Sequence, residues 1–412
     1  MAQKQPANIV VGLDIGTTKI CAIIAEIGDG GLEIIGVGTA PAQGLRRGVV
    51  VHIEDCVRSI SEAVAKAELM ADVKVQAVYA GVAGGHIKSF NSRGVIAVSS
   101  QDHEIREHDV KRVIDAAQAI AIPLDREVIH VLPQEYIVDD QDGIKNPVGM
   151  SGVRLESEVH IVTGAVTSVQ NIVKSVERSG LKVADIVLEP LASSRAVLTE
   201  DEEELGVALI DIGGGTTDIG MVIDGALRFS SIIALGGNNV TNDVSIGLRT
   251  PTKQAEILKC EHGAAAYELV DAKEMIEVPS VGGRPPRVVP RRQLVDIIEP
   301  RMAEIFELVK GEITKSRFVE AFRAGYVITG GASKLPGVCE LAERIFGAPV
   351  RLARPQPVGG LFDSVDDPAF STGVGLILYA AEGRAFGEGD LDDGSLFDNI
   401  IQRMKNWLKD FF

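Results

Sequence analysis

Hydrophobic residues recur along this chain with two alternating periods. Residues 9–27 are an almost continuous apolar run broken by one glycine turn, which predicts a hairpin of two buried strands. The spacing then changes to three and four, with Val57, Ile60 and Val64 on one face of a predicted helix over 53–70. Further strands are predicted over 32–39 and 75–83. Strands alternating with amphipathic helices predict an α/β fold.

Residues 84–162 interrupt this alternation and predict a small separate unit. His108-Asp109 is expected to cap a helix whose apolar face includes Val113 and Ala117. Four strands are predicted around it, over 94–99, 126–132, 134–139 and 157–164. The parent pattern then resumes with helices over 171–179 and 191–198 and a strand over 186–189.

The second half of the chain begins at Val207 after an acidic run, Glu200 to Glu204, which we interpret as a solvated linker. Residues 278–292 carry too much Pro, Gly and Arg for regular helix. The remaining predictions are a hairpin to about 233, a turn over 234–239 into a helix, a helix over 293–314 interrupted at Pro300, a strand, turn and helix from 326, and a helix over 368–382.

One motif occurs twice. Each half opens with an apolar strand followed by Asp-Ile-Gly and hydroxyl residues, first from Asp14 and again from Asp211. Glycine lets the backbone approach an anion, and successive N–H groups in such a turn form a concave nest for phosphate. A carboxylate at the end of the strand can hold Mg²⁺ through water. The repetition predicts a duplicated fold whose halves close on one nucleotide.

Two further glycine turns fit the same site. Gly236-Gly237 and Gly330-Gly331-Ala332 are placed near the nucleoside, and Glu189 is a candidate to orient an attacking water. The predicted phosphate contacts are Gly16, Thr17, Thr18, Lys19, Gly213, Gly214, Gly215, Thr216 and Thr217. The predicted nucleoside contacts are Gly236, Gly237, Gly330, Gly331 and Ala332. The predicted metal ligands are Asp14 and Asp211, and Asp211 is also predicted to be catalytic.

A purely structural interpretation stands beside each of these assignments. A single glycine hairpin usually serves backbone geometry alone, Glu189 can simply cap a helix, and Lys19 can be a solvated strand residue. The two aspartates differ, because an unpaired carboxylate inside an apolar strand costs several kcal/mol. A metal-binding or hydrogen-bonded role is therefore favoured for Asp14 and Asp211.

Composition narrows the class of protein. The chain has 412 residues, 45% hydrophobic and 4% aromatic, with 44 Gly, which fits a soluble α/β protein of two or three domains. The formal charge of −17 disfavours general nucleic-acid binding. The four cysteines, Cys21, Cys56, Cys260 and Cys339, lack metal-binding spacing and are expected to be reduced and mostly buried. No apolar stretch is long enough to span a bilayer.

The last residues of the chain form an amphipathic pattern after a Gly-rich acidic stretch, 383–397, that is typical of a flexible tether. The predicted helix, 398–412, either docks on the protein's own core or lies in a membrane interface, and the tether favours the membrane. Its apolar face is Ile400, Ile401, Met404, Trp407, Leu408, Phe411 and Phe412, and its cations are Arg403, Lys405 and Lys409.

Together these motifs resemble the actin-like ATPase superfamily, which includes actin, sugar kinases and heat-shock chaperone ATPases, and within it the FtsA family of bacterial cell-division proteins. The resemblance covers almost the whole chain, and its most specific stretches are Pro133-Gln134-Glu135-Tyr136, 143–149, 191–194 and 278–286. It implies an actin-like two-lobed ATPase fold of duplicated ribonuclease H-like domains, with an inserted subdomain 1C in place of actin's 1B.

The resemblance also implies domain boundaries. Subdomain 1A corresponds to residues 1–83, 163–198 and 356–382, 1C to 84–162, 2A to 199–240 and 302–355, and 2B to 241–301.

Function follows from the same resemblance as an expectation. It implies ATP and Mg²⁺ as cofactors with at most slow hydrolysis, self-assembly into filaments, and peripheral attachment to the cytoplasmic face of the inner membrane at the division septum. It further implies capture of the C-terminal peptide of the tubulin-like protein FtsZ by 2B, and of later division proteins by 1C. Arg284 and Arg301, within a basic cluster that is otherwise read as a solvated loop, are the candidate FtsZ contacts.

Three alternatives use the same ATP cleft. A soluble kinase needs an acid beside the γ-phosphate and sugar-binding residues, a set that this sequence does not display. A chaperone-type ATPase needs a peptide-binding domain, and only about 30 residues follow Glu382. A pilus-assembly membrane adaptor shares both ATP and membrane contacts, but the 278–286 stretch favours the division family.

Overall fold

A computed structural model describes residues 6, 8–100 and 102–385. The predicted terminal helix and the predicted tether from residue 386 onward lie outside these residues. The tether was expected to begin at residue 383, but the last described helix, Ser371–Ala385, extends past that point. The strands are β1 Ile9–Ile15, β2 Lys19–Gly28, β3 Gly31–Pro41, β4 Leu45–Arg46, β5 Val49–Val50, β6 Ala77–Val82, β7 Lys88–Ala97, β8 Arg126–Val138, β9 Gln141–Ile144, β10 Arg154–Ala165, β11 Lys182–Leu188, β12 Val207–Ile212, β13 Thr217–Ile223, β14 Ala226–Ile233, β15 Met275–Val278, β16 Arg287–Pro290, β17 Tyr326–Thr329, β18 Val350–Leu352 and β19 Gly359–Gly360. The helices are α1 Ile53–Ala71, α2 Glu107–Gln118, α3 Val166–Arg178, α4 Glu189–Val197, α5 Glu200–Leu205, α6 Gly237–Gly247, α7 Thr252–His262, α8 Arg291–Lys315, α9 Val338–Phe346 and α10 Ser371–Ala385.

The chain divides into two compact units. Of the described residues, those within 6–82, 168–197 and 354–385 form unit 1, and those within 83–167 and 198–353 form unit 2. Unit 1 contains a sheet in the order β11-β6-β1-β2-β3-β19. Every residue of β1 is buried. Helices α1 and α10 pack on this sheet, as the continuous apolar run of β1 requires.

Unit 2 repeats the same strand order in a second sheet, β14-β13-β12-β17-β18. In unit 1, β2 is antiparallel to its neighbours β1 and β3, and β6 and β11 run parallel to β1. In unit 2, β13 is antiparallel to its neighbours β12 and β14, and β17 and β18 run parallel to β12. The core of this sheet is built on α8, with Phe306 fully buried. The repeated topology confirms the duplicated α/β fold that the two Asp-Ile-Gly motifs predict.

Unit 2 also contains the inserted segment, a sheet in the order β7-β10-β8-β9 with α2 packed on one face. Strand β8 continues through Pro133, where two shorter strands were expected. The ladder between β8 and β10 shifts register at Glu158 and Val159, opposite this proline, because proline lacks the N–H that a regular ladder requires.

The interpretation of the acidic run as a linker is wrong, because Glu200–Leu205 is helix α5. Thr199 and Glu202 form a capping box, in which each side chain accepts a hydrogen bond from the backbone N–H of the other. Acidic residues in a first helical turn also interact favourably with the helix dipole. Glu202 further accepts a hydrogen bond from Arg351 at 2.6 Å.

The expected interruption at Pro300 is also wrong, because α8 runs unbroken from Arg291 to Lys315. Ile298 and Met302, on either side of the proline, are both fully buried. The burial of large side chains before and after Pro300 outweighs one missing backbone hydrogen bond.

The proline-rich stretch 278–292 lacks helix up to Arg291, as expected, but it also contributes β16 to a short hairpin with β15. All four cysteines are free, and of them only Cys21 and Cys56 are buried. Among the described residues no helix is long and apolar enough to cross a membrane.

Candidate functional site

The turn that connects β12 and β13 is a tight, internally bonded loop. The N–H of Gly213 donates to the carbonyl of Thr216 at 2.9 Å. The hydroxyl of Thr216 donates to Asp218 at 3.0 Å, and that of Thr217 donates to the carbonyl of Leu235 at 2.9 Å. The two hydroxyl groups therefore fix the loop and its neighbour, and the three glycines that precede them carry no side chains.

The second glycine turn packs directly on the first. The N–H groups of Gly237 and Asn238 donate to the carbonyls of Gly213 and Gly214 at 2.9 and 2.8 Å. A Cβ on Gly236 would lie 2.6 Å from the carbonyl oxygen of Gly213, so only glycine fits there.

The third glycine turn joins the same group. Gly330 follows β17 with φ = +90°, and a Cβ there would lie 2.3 Å from Oδ1 of Asp211. Asp211 itself is 7% exposed at the end of β12. The structure thus brings together, within unit 2, the three glycine turns that the sequence placed near one nucleotide.

Helix α7 adds two residues that the sequence analysis missed. The ammonium group of Lys259 is buried, donates to the hydroxyl of Thr241 at 2.9 Å and lies 2.7 Å from Glu256. Burial raises the pKa of Glu256, but hydrogen bonds from Lys259 and Thr241 outweigh burial and leave the pKa below its usual value. Lys259 also donates to the carbonyl of Gly237, so this charged pair borders the glycine turns. The available signal was the Glu-x-x-Lys spacing, which places both side chains on one face of a helix.

The corresponding turn of unit 1 lies between β1 and β2, and Asp14 there is 8% exposed. Thr17 accepts a hydrogen bond from the N–H of Gly48 at 3.0 Å, and Thr18 is exposed. Lys19 donates to the carbonyl of Ala369 at 2.6 Å, and its ammonium lies 3.7 Å from the centroid of the Phe370 ring. The ammonium of Lys19 is therefore engaged by the segment that precedes α10.

Glu189 is the first residue of α4, directly after β11, and is half-buried. The helix that it begins packs against α10, where the hydroxyls of Ser193 and Thr372 are 3.0 Å apart. The structure places Glu189 at a strand-to-helix junction, as the sequence predicts.

Two arginines of the predicted basic cluster form ion pairs. Arg301 forms ion pairs with Asp243 and Glu304, and Arg291 makes a bidentate pair with Glu274 at 2.8 and 3.0 Å. Arg284 differs, because it lies in the exposed stretch 281–288 and makes no ion pair with another described residue. Arg287 is also exposed, but its guanidinium donates to the carbonyl of Leu248.

In each unit, one carboxylate at a strand end is of the type that binds Mg²⁺ together with phosphate. Asp14 and Asp211 are carboxylates at strand ends, and Mg²⁺ is typically held by one or two carboxylates plus phosphate oxygens and water. Within the described part of the chain, no cluster of three or more His, Cys, Asp or Glu side chains could hold a metal ion by itself.

Comparison with known proteins gives consistent matches. A family model described as "Cell division protein FtsA" matches residues 208–375, and one described as "SHS2 domain inserted in FTSA" matches 84–163. The chain is 48% identical over its whole length to the cell division protein FtsA of Pseudomonas aeruginosa, which it also covers completely.

Solved structures with low identity share the fold. The chain is similar to a PilM-PilN type IV pilus biogenesis complex, with a TM-score of 0.66, 15% identity, and coverage of 90% of this chain and 98% of the other. It is also similar to MreB5 of Spiroplasma citri bound to ADP, with a TM-score of 0.57, 14% identity, and coverage of 93% and 100%.

Proposed function

The chain belongs to the family of the cell-division protein FtsA, and from this premise we propose that it is an ATP-binding, membrane-attached filament protein that tethers FtsZ at the division septum. Its fold is actin-like. The proposal depends mainly on one observation. The glycine turns at 213–217, 236–237 and 330–332 lie close together beside Asp211, at the end of β12.

Nucleotide binding is supported by the chemistry of that meeting point. The Gly213–Thr217 turn offers backbone N–H donors for phosphate, and a glycine turn without side chains can lie flat against a purine or ribose. We assign Lys259 and Glu256, beside Gly237, to the nucleoside end. The Gly16–Thr18 turn is the proposed phosphate contact of unit 1.

Magnesium completes the proposed site. Asp211 is the proposed carboxylate ligand of unit 2 for Mg²⁺ or its water ligands, and Asp14 is the equivalent proposed ligand of unit 1. When bound, the ion neutralises phosphate charge. Glu189 is the proposed residue for orienting water, and slow hydrolysis is all that the family resemblance leads us to expect.

Titration calorimetry with ATP and Mg²⁺ tests this site. Asp211→Asn should weaken ATP binding about 10- to 100-fold, because a charge-assisted contact contributes ~1.5–3 kcal/mol. Asp201→Asn, which changes an exposed aspartate of α5, is the matched control and should bind like the wild type. Failure of the wild-type chain to bind ATP at millimolar concentration would refute the proposal.

Membrane attachment is proposed for residues 398–412, because their apolar face carries the only Trp of the chain and two terminal Phe residues. Co-sedimentation with liposomes should compare the full chain with a chain that stops after Gly394, each with and without ATP. If only the full chain pellets, the tail is the anchor, and enhancement by ATP would tie the nucleotide to filament assembly. If both chains stay in solution, the anchor proposal fails.

Capture of the FtsZ C-terminal peptide is proposed for the surface that carries Arg284 and Arg301. Fluorescence anisotropy with a labelled peptide should show weaker binding for Arg284→Ala, because this exposed guanidinium is available to pair with a carboxylate. Arg354→Ala, an exposed arginine of unit 1, is the control. If Arg284→Ala and Arg354→Ala bind the peptide with equal affinity, Arg284 is not a contact of the FtsZ peptide.

The runner-up function is that of an actin-like membrane adaptor of the pilus-assembly type. The similarity to the PilM-PilN complex favours this function only at the level of the fold, because identity is 15%. The peptide assay separates the two functions, since a pilus adaptor has no reason to bind the FtsZ tail.

A further inference from the structure

The inserted sheet of unit 2 has one apolar face and one polar face. The apolar face packs against α2 and contains Val159 and Ile161 of β10. On the polar face, Asn91 of β7 pairs in register with His160 of β10. This polar face is not solvated, because His160 is 1% exposed and Gln134 is 7% exposed.

What covers the polar face is β14, the edge strand of the five-stranded sheet. The carbonyl of Arg228 accepts hydrogen bonds from the side-chain amides of Asn91 and Gln134, both at 3.1 Å. The carbonyl of Ser230 accepts a hydrogen bond from the hydroxyl of Ser89 at 2.7 Å. Side chains of the inserted sheet thus satisfy the edge groups that a neighbouring strand would otherwise pair.

His160 lies at the centre of this contact. Its Nδ1 is 2.6 Å from Oδ1 of Asn91, and its Nε2 is 2.9 Å from the hydroxyl of Ser230. Burial, with a smaller contribution from the nearby His130, lowers the pKa of His160 to about 4, so the ring is neutral near pH 7. Because the amide of Asn91 is committed to Arg228, the network assigns the proton to Nδ1 and makes Nε2 the acceptor from Ser230.

Hydrogen-bonding side chains cross the contact at Ser89, Asn91, Gln134 and His160. Oε1 of Gln134 is buried without a hydrogen-bond partner. A cleft of about 260 Å³ beside the contact is lined by Ser89, Ser230 and Ser231, by the charged Lys88 and Glu312, and by the apolar Ile87, Phe229 and Ile232. At the margin, Arg228 lies 3.7 Å from Glu135. Polar contacts of this kind recover most of their hydrogen bonds from water when they part, so the net cost of separation is small.

We propose that Ser89, Asn91, Gln134 and His160 form a polar latch on β14 and that the inserted subdomain detaches from this strand as an intact unit. In the open state the edge of β14 is exposed to solvent, while the inserted sheet keeps its own core around Leu155 and Val113. None of these contacts involves a residue assigned above to the nucleotide, membrane or FtsZ sites.

Hydrogen–deuterium exchange of the full chain tests the latch. Asn91→Ala removes the amide that bridges His160 and Arg228, and the peptide covering 226–233 should then exchange about 5- to 30-fold faster, the effect of losing two ordinary hydrogen bonds. Peptides from β10 and α2 should keep their wild-type rates, because the subdomain opens without unfolding.

Ser92→Ala is the matched control. Ser92 lies beside Asn91 on β7, but its hydroxyl donates to the carbonyl of Ala117 in α2 at 2.7 Å, on the other face of the sheet. This variant should accelerate exchange in α2 and leave 226–233 unchanged. Equal exchange at 226–233 in both variants, or faster exchange of β10 and β14 together in Asn91→Ala, would overturn the proposal.

A milder pair of variants covers the case in which Asn91→Ala does not fold. Ser89→Ala and Ser230→Ala each remove one hydroxyl of the latch, and each should accelerate exchange at 226–233 by about 2- to 12-fold. If neither variant accelerates exchange at 226–233, the contact does not control this edge and the latch is refuted.

Discussion

Substitution of Gly330 by alanine probes the point at which the glycine turns meet. Gly330 has φ = +90°, a conformation that residues with a Cβ rarely adopt. The added methyl would lie 2.3 Å from Oδ1 of Asp211 and 2.6 Å from the carbonyl oxygen of Ile212. The second contact is with backbone, so a change of rotamer cannot relieve it.

The expected cost combines two terms. A non-glycine residue held in such a backbone conformation costs ~1–3 kcal/mol, and overpacking costs a further ~1–3 kcal/mol. The free energy of unfolding of unit 2 should therefore fall by about 2–6 kcal/mol. At roughly 2–4 °C per kcal/mol for a domain of 150–250 residues, Tm should fall by about 4–24 °C.

Thermal unfolding without nucleotide measures this cost, and Gly213→Ala is the control. A Cβ on Gly213 meets only ordinary contacts, the closest being the carbonyl oxygen of Thr216 at 3.4 Å. Gly213→Ala should therefore keep the wild-type Tm but weaken ATP binding, since its methyl lies on the proposed phosphate loop. Gly330→Ala should lose stability before any ligand is added.

The opposite pattern would refute this reasoning. If Gly330→Ala unfolds like the wild type, the turn is not held against Asp211 as the structure has it. If Gly213→Ala binds ATP like the wild type, the loop does not receive phosphate and the site assignment fails, whatever the stability of the other variant.

Three further predictions concern other parts of the chain. Lys19→Met should destabilise unit 1 by about 1–3 kcal/mol in thermal unfolding, with ATP affinity changed less than about threefold, because the ammonium is engaged by Ala369 and Phe370. Burial raises the pKa of Glu127 to about 7, so the folded state holds an extra proton between about pH 4.5 and 7 and loses stability as pH rises through that window. Glu127→Gln should therefore unfold with a Tm above the wild type at pH 8, by about 1–2 kcal/mol of stability after allowance for solvent screening, and the two should converge at pH 5. Thr199→Ala should cost α5 about 1 kcal/mol and be seen as roughly fivefold faster amide exchange over 200–206.

The sequence predicted the fold where one local signal decided the structure. The doubled Asp-Ile-Gly motif located both hairpins, because a continuous apolar run broken by glycine has few other folded forms. The prediction failed where two signals competed. Five consecutive acids suggested a solvated linker, yet Thr199 and Glu202 cap a helix there, and Pro300 suggested a break that the buried faces of α8 override.

Contacts between residues that are far apart in the sequence could not be predicted from the local pattern of hydrophobic and polar residues. Lys259 and Gly237, 22 residues apart, meet because α6 and α7 pack together, and a histidine such as His160 carries no signal of its own in a strand. The same limit applies to charge. Arg284 and Arg301 look alike in the sequence, but the structure pairs Arg301 with Asp243 and leaves Arg284 exposed.

The difference between these two arginines bears on how a partner peptide would bind. A peptide carboxylate at Arg301 must compete with Asp243 and Glu304, whereas at Arg284 it displaces only water. A surface ion pair contributes ~0–1 kcal/mol, so the intramolecular competitors can cancel the whole gain at Arg301. Arg284 should therefore contribute more to initial capture. Arg301 can contribute strongly only if binding also releases it from α6, which would couple peptide capture to the helix that begins at Gly237, beside the proposed nucleotide.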